Sequence, residues 1–397
     1  MTSARRRRPA DGTRRTARLP GNAQDVRPLL AGMRTSPRSL FRLLTGLLLL
    51  TGVLTTGAQA SATTQEHRDP VAVAEYDLGD TAFRDPQTGT VSEVRAVVHY
   101  PRHLTGRAPL IIMAHGSWWA CDRMDAATWP CPSGSRPFPS HRGYDYLGAA
   151  LAARGFVVAS ISVDGINQTS FDYGDRARLV NEHLRLWQRL AAARGGPLAD
   201  RLVDRAGHPV APRFAGHVDM TRVGTLGHSR GGKGVMWQAS DKHRGEWPAG
   251  VRVRAVLALA PVKFDDPEGD NSDTLVTRLP FAVVTSGCDG AVREAGQEYL
   301  DDVTGRNRAT DYSVSLHDAN HNFFNTTWTP PFLFGEDDST CPDRQVTPDR
   351  QQDALTAYAT AFFASQLQGD RQGLAVLTGV QPLPGGPSTT RVVPAVR

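Results

Sequence analysis

Five residues, Gly227-His228-Ser229-Arg230-Gly231, constrain this chain most, because they stand between the apolar run 221–226 and a helix-forming stretch, 232–240. A strand, a sharp turn and a helix must follow one another there. A serine at the apex of so tight a turn takes a strained backbone conformation, and the flanking glycines let strand and helix pass at close range. The turn lifts the hydroxyl clear of the sheet. Taken alone, the pattern also fits a glycine-rich turn carrying a surface serine, so other segments have to decide.

Three further segments bear on that decision. Residues 109–114 read as a fully buried parallel strand running straight into His115-Gly116-Ser117-Trp118-Trp119. Residues 281–286 are a second buried strand, ending in Gly287-Cys288-Asp289-Gly290 and so placing a carboxylate at a strand's carboxyl end. Residues 312–316 are a third, followed by the polar loop His317-Asp318-Ala319-Asn320-His321-Asn322-Phe323-Phe324. Serine, acid and histidine therefore come in that order along the chain.

In this order and in these motifs the chain resembles the α/β-hydrolase family, over residues 91–366. The string Gly227 to Gly232 is similar in particular to lipase, cutinase-like and chlorophyllase-like esterases. The resemblance implies Ser229 as nucleophile, His321 as the base that takes its proton and returns it to the leaving group, and Asp289 as the group orienting the imidazole. It also implies an oxyanion hole made of the backbone N–H groups of Arg230 and Ser117, with Trp118 in reserve. His317, at the strand end, competes with His321, and Asp265 and Asp266, after the preceding strand, compete with Asp289. His115 and His228 belong to the motifs and are expected to make structural hydrogen bonds.

Strand and helix patterns alternate along the chain. Strands are expected at 71–76, 91–100, 109–114, 156–162, 221–226, 253–260, 281–286 and 312–316, and helices at 144–154, 175–194, 232–240 and 351–367. This predicts an α/β fold of the α/β-hydrolase type: a mostly parallel sheet of about eight strands with helices on both faces. Only 20 residues, 261–280, separate two of these strands where many such enzymes carry a helical cap, so no large cap domain is expected. The proline-containing stretch 369–397 reads as a poorly ordered tail, leaving 63–368 as the catalytic domain.

Residues 1–62 read as a targeting segment. An apolar core at 41–54 follows arginines and precedes the small-residue site Ala58-Gln59-Ala60, as in a secretory signal, and Met33 would begin a signal of ordinary length. The core is shorter than the ~20 residues of a membrane span, so no stable membrane anchor is expected. This stretch holds 11 arginines and two acids; the remainder has 34 basic and 38 acidic residues, net −4, which gives nucleic acid no general basic face. For a secreted chain, four cysteines suggest two disulfides, with Cys121–Cys131 and Cys288–Cys341 preferred among three connectivities.

Trp118, Trp119 and Trp129 either wall a substrate site or pack their own loop, and the insert 198–220 lies where it can shape a cleft. The acidic tract 265–273 lacks EF-hand spacing and reads as a solvated loop rather than a calcium site. No organic cofactor or catalytic metal is called for. The expectation is a secreted, monomeric serine hydrolase acting on small or polymeric carboxylic esters. A peptidase or amidase on the same triad, or a binding module whose triad is idle, are the alternatives.

Overall fold

The apolar runs become the centre of one sheet. A computed structural model describes residues 70–170, 172–193, 195–263, 270–329, 340–341 and 344–396. The expected targeting segment and the loop 264–269 lie outside them. The strands are β1 (Val71–Asp77), β2 (Phe83–Arg84), β3 (Val91–Ser92), β4 (Arg95–Pro101), β5 (Ala108–Ala114), β6 (Val157–Ile161), β7 (Val203–Asp204), β8 (Val218–His228), β9 (Val253–Leu259), β10 (Phe281–Ser286), β11 (Asp311–Leu316) and β12 (Ser388–Val393). Ten of them form a sheet in the order β12-β11-β10-β9-β8-β5-β6-β4-β1-β7, while β2 and β3 pair apart from it.

From β6 across to β11 every neighbouring pair is parallel, and the edges beyond are antiparallel. A strand buried on both faces cannot alternate polar and apolar residues, which is why Pro109 to Ala114 is an uninterrupted apolar run buried throughout. Side chains still alternate in direction. Leu110 and Ile112 join a core with Leu184, Trp187, Val235 and Leu300, whereas Ile111 and Met113 join a second core with Leu147, Leu355, Tyr358 and Phe362.

The first core packs under the helices α3 (Tyr173–Ala193), α4 (Arg230–Ala239) and α5 (Glu298–Val303). The second packs under α1 (Asp145–Ala153) and α6 (Pro348–Phe363). α6 starts three residues before the expected 351, because Pro348 sits at its first position, where a missing N–H costs nothing. Two short helices, α2 (Asp164–Thr169) and α7 (Leu374–Leu377), complete the set.

Three sequence expectations are corrected. Each of the eight expected strands contributes a strand to the sheet, 91–100 only in part, but the sheet has ten. One addition is β7, from the insert 198–220. Val203 pairs with Glu75 of β1 at the far edge, and Leu198, Leu202 and Phe214 fill the core, so the insert closes that edge instead of shaping a cleft. The other is β12, from the stretch expected to be a loose tail. Its β-branched run pairs antiparallel with all of β11, from Asp311↔Val393 to Leu316↔Ser388. Pro382, Pro384 and Pro387 all precede the strand, where they remove no ladder hydrogen bond. The expected strand 91–100 is also broken, because Glu93 turns inward and accepts the N–H groups of Asp164 (2.7 Å) and Gly165 (2.9 Å) at the start of α2.

Candidate active site

Parallel strands bring all their carboxyl ends to one side of a sheet, and the loops that follow meet there. β5 leads into His115-Gly116, β8 into Ser229, β10 into Asp289 and β11 into His321, so four segments far apart in sequence share one edge.

Ser229 sits between β8 and α4 at φ 56°, ψ −120°, one of three non-glycine residues with positive φ among those described. Its backbone is held from both sides: its N–H donates to the Leu259 carbonyl (2.8 Å), and its carbonyl accepts from Val262 (3.2 Å). The flanking glycines are needed for space. A Cβ at Gly231 would lie 2.5 Å from the Ala114 carbonyl oxygen and 2.6 Å from that of His115, and one at Gly227 would run into the Gly231 carbonyl. Ser229 itself is 6% exposed.

His321 and Asp289 are joined. The Asp289 Oδ2 lies 2.6 Å from His321 Nδ1, and its Oδ1 accepts the N–H groups of Ala291 (2.8 Å) and Val292 (2.7 Å). Both carboxylate oxygens are thereby engaged, which fixes the side chain although it is buried. The His321 ring lies 4.9 Å from that of His228, the residue before Ser229, and so stands beside the turn between β8 and α4. His317, by contrast, is exposed and pairs through Nε2 with Thr389 on β12 (2.7 Å), away from Asp289. Asp265 and Asp266 lie outside the described residues.

Two groups that sequence reasoning missed, Gln351 and Trp328, brace the His321 loop and the turn at Ser229 respectively. Gln351 of α6 grips Asn320 from both sides, accepting its N–H (2.8 Å) and donating to its carbonyl (2.7 Å). Trp328 stacks between Trp118 (centroids 5.1 Å apart, planes 11°) and His228 (5.0 Å, 26°), and its indole N–H donates to Ser140 Oγ. The glutamine carries no motif, and Trp328 lies far along the chain from Trp118, Trp119 and Trp129. Trp118, only 4% exposed, thus packs against Trp328 and against Phe138 of its own loop. Trp129 donates to the Asp80 carbonyl (2.8 Å), and Trp119 stays half-buried.

The expected oxyanion segment presses directly on the turn at Ser229. A Cβ at Gly116 would come 2.6 Å from the Ser229 Cβ and 2.9 Å from the His228 carbonyl oxygen, so only glycine admits this approach. Ser117 follows it, half-buried, and Arg230 opens α4, whose first-turn N–H groups and dipole favour negative charge. The Arg230 guanidinium lies over the Tyr173 ring, as does the Lys233 ammonium. The Gly116 carbonyl accepts from His115 Nδ1 and from Asn167 Nδ2, each at 2.9 Å.

Both motif histidines are structural. His228 Nδ1 meets the Tyr144 hydroxyl (2.8 Å), and His115 Nε2 accepts the Val163 N–H (2.9 Å). Burial holds the His115 imidazole down at about 3. Burial, and then the neighbouring His321, keep His228 well below the ordinary imidazole range. Both rings are therefore neutral at physiological pH.

Disulfides join Cys121 to Cys131 and Cys288 to Cys341, the preferred connectivity. The second anchors the residue next to Asp289. Among the described residues, no group of three or more His, Cys, Asp or Glu side chains is placed to hold a metal ion, and no helix is long and apolar enough to cross a membrane. Asp273, at the end of the acidic tract, pairs with Lys242 (2.7 Å) and His243 (2.6 Å). No protein-family model matches the chain, and no curated protein matches it.

Proposed function

We propose that this chain is a secreted serine hydrolase of the α/β-hydrolase fold that cleaves carboxylic esters through an acyl-enzyme. The observation that carries the reading is the coincidence, at one sheet edge, of a strained serine at a strand-to-helix turn and an imidazole paired with a buried carboxylate. Strain at a polar residue persists only where the surroundings enforce it, and such positions cluster at functional sites.

In the reaction, Ser229 attacks the ester carbonyl while His321 takes its proton on Nε2. Asp289, hydrogen-bonded to Nδ1, keeps the proton there and stabilises the imidazolium. The tetrahedral oxyanion forms against the N–H groups of Ser117 and Arg230. His321 then protonates the departing alcohol, and water repeats the sequence to release the acid. Two disulfides among the described residues suit an oxidising, extracellular setting.

The test is hydrolysis of p-nitrophenyl esters of graded acyl length by wild type and Ser229→Ala, with a fluorophosphonate probe for the serine. Turnover and labelling in wild type, both lost in the variant, are expected. A folded wild type that neither turns over nor labels overturns the reading in favour of a binding module.

A further inference from the structure

Gly116 and Ser117 share one planar trans peptide, so whatever holds the Gly116 oxygen aims the Ser117 N–H the opposite way. Two side chains hold it, and chemistry fixes how. The Val163 N–H can only donate, so His115 Nε2 accepts, leaving the proton on Nδ1 to be donated to Gly116 O. A guanidinium also can only donate. Arg176 Nη2 lies 2.7 Å from Asn167 Oδ1, so the amide nitrogen of Asn167 faces Gly116 O and donates to it.

Arg176 is unusual in its own right. On α3 and 1% exposed, it makes no hydrogen bond through Nε or Nη1, and no carboxylate among the described residues lies within salt-bridge distance of it. Burial, and then repulsion from Arg230, pull it down to about 9, which still leaves it charged at neutral pH. Asp175 and Glu93 offset its charge only from beyond salt-bridge distance, and a buried cation with no directly paired carboxylate is costly, so a purely structural role would be served as well by a neutral side chain. The repulsion it feels from Arg230 places the charge within electrostatic range of the first turn of α4.

We propose that Arg176 and Asn167 are positioning residues: a relay from guanidinium to amide to the Gly116 carbonyl that fixes and polarises the Ser117 N–H for the oxyanion. The buried, unpaired guanidinium behind the relay becomes more favourable when negative charge develops on the substrate oxygen, which is stabilisation prepared before the reaction starts. The inference rests on the esterase reading above.

The experiment compares wild type with Asn167→Leu, Arg176→Met, Arg176→Lys and the Leu/Met double variant, using p-nitrophenyl ester kinetics and the affinity of an alkyl boronic acid as a tetrahedral mimic. For Asn167→Leu, kcat is expected to fall about 10- to 100-fold with KM within about twofold, and boronate affinity to fall in step. The double variant loses no more than the worse single one, because the groups act in series, and Arg176→Lys recovers part of the loss. Ser117 amide exchange, read by NMR, should quicken in Asn167→Leu. Wild-type kcat in folded Asn167→Leu, a change confined to KM, or losses that multiply in the double variant each overturn the relay. Thermal melting checks folding, and if Arg176→Met fails to fold, the half-exposed Asn167 site decides alone. A wild type inert to fluorophosphonate overturns the esterase reading itself, and is distinct from a live wild type with unaffected variants.

Discussion

Ser229 is held at φ 56° by hydrogen bonds on both of its peptide groups, a conformation that a side chain resists and glycine accepts. Ser229→Gly should therefore unfold at a higher denaturant concentration than Ser229→Ala. Strain of the order of 1–3 kcal/mol is relieved in the first variant and retained in the second. Equal midpoints would show that the turn carries none. At Asp289 the exchange of carboxylate for amide keeps the size but not the preference for a proton on His321 Nδ1. Asp289→Asn is expected to lower kcat by about 10⁴ with KM little changed, read from steady-state ester hydrolysis. At this scale the sequence was legible where a residue's conformation depends on a local turn, as at Ser229 between its glycines. It was silent on Gln351, Trp328, Asn167 and Arg176, whose roles arise only from what folding brings against them.

Elements show the same division. The strands buried on both faces were readable because they are unbroken apolar runs, and β10 falls on its expected residues 281–286. β7 and β12 were not, since two residues leave no periodicity and an edge strand among prolines and glycines looks like a loop. β12 covers β11 along its whole length, and Pro387 just before it (carbonyl, 3.1 Å) and Thr389 within it fix His317. Removing residues 387–397 should uncover a ladder of unpaired N–H and C=O groups, the kind of edge that recruits other chains. A lower melting temperature and larger species on size exclusion are expected. A monomer with unchanged melting would mean that β12 is dispensable to the sheet.

For the whole molecule, the buried imidazoles set the response to acid. Burial lowers His99 to about 4 and His183 to about 3, and His115, His141 and His228 are depressed as well. A group whose folded value lies below its ordinary 6.5 contributes stability that is complete above 6.5 and lost as pH falls towards the folded value. Burial also raises Asp145 to about 6 and Asp311 to about 7. Those contributions run the other way, being present below the ordinary carboxyl value and lost as pH rises through 6 to 7. The imidazoles are more numerous, so stability should fall from pH 6.5 to 4. In His183→Leu, away from the sheet edge that carries Ser229, the slope of unfolding free energy against pH between 4 and 6 should be smaller by about 1.4 kcal/mol per unit. Urea titrations at several pH values measure it, and an unchanged slope would mean that His183 does not take up its proton on unfolding.

What the sequence determined by itself was the alternation of strands and helices, the parallel centre of the sheet, the serine turn and the order of serine, acid and histidine. Each is written in local periodicity or in glycines beside a turn. Only the tertiary structure decided which histidine meets Asp289, that a supposed tail is an edge strand, and that a buried arginine stands behind the loop at Gly116. Those contacts join residues distant along the chain, and no local pattern encodes a partner that arrives through packing.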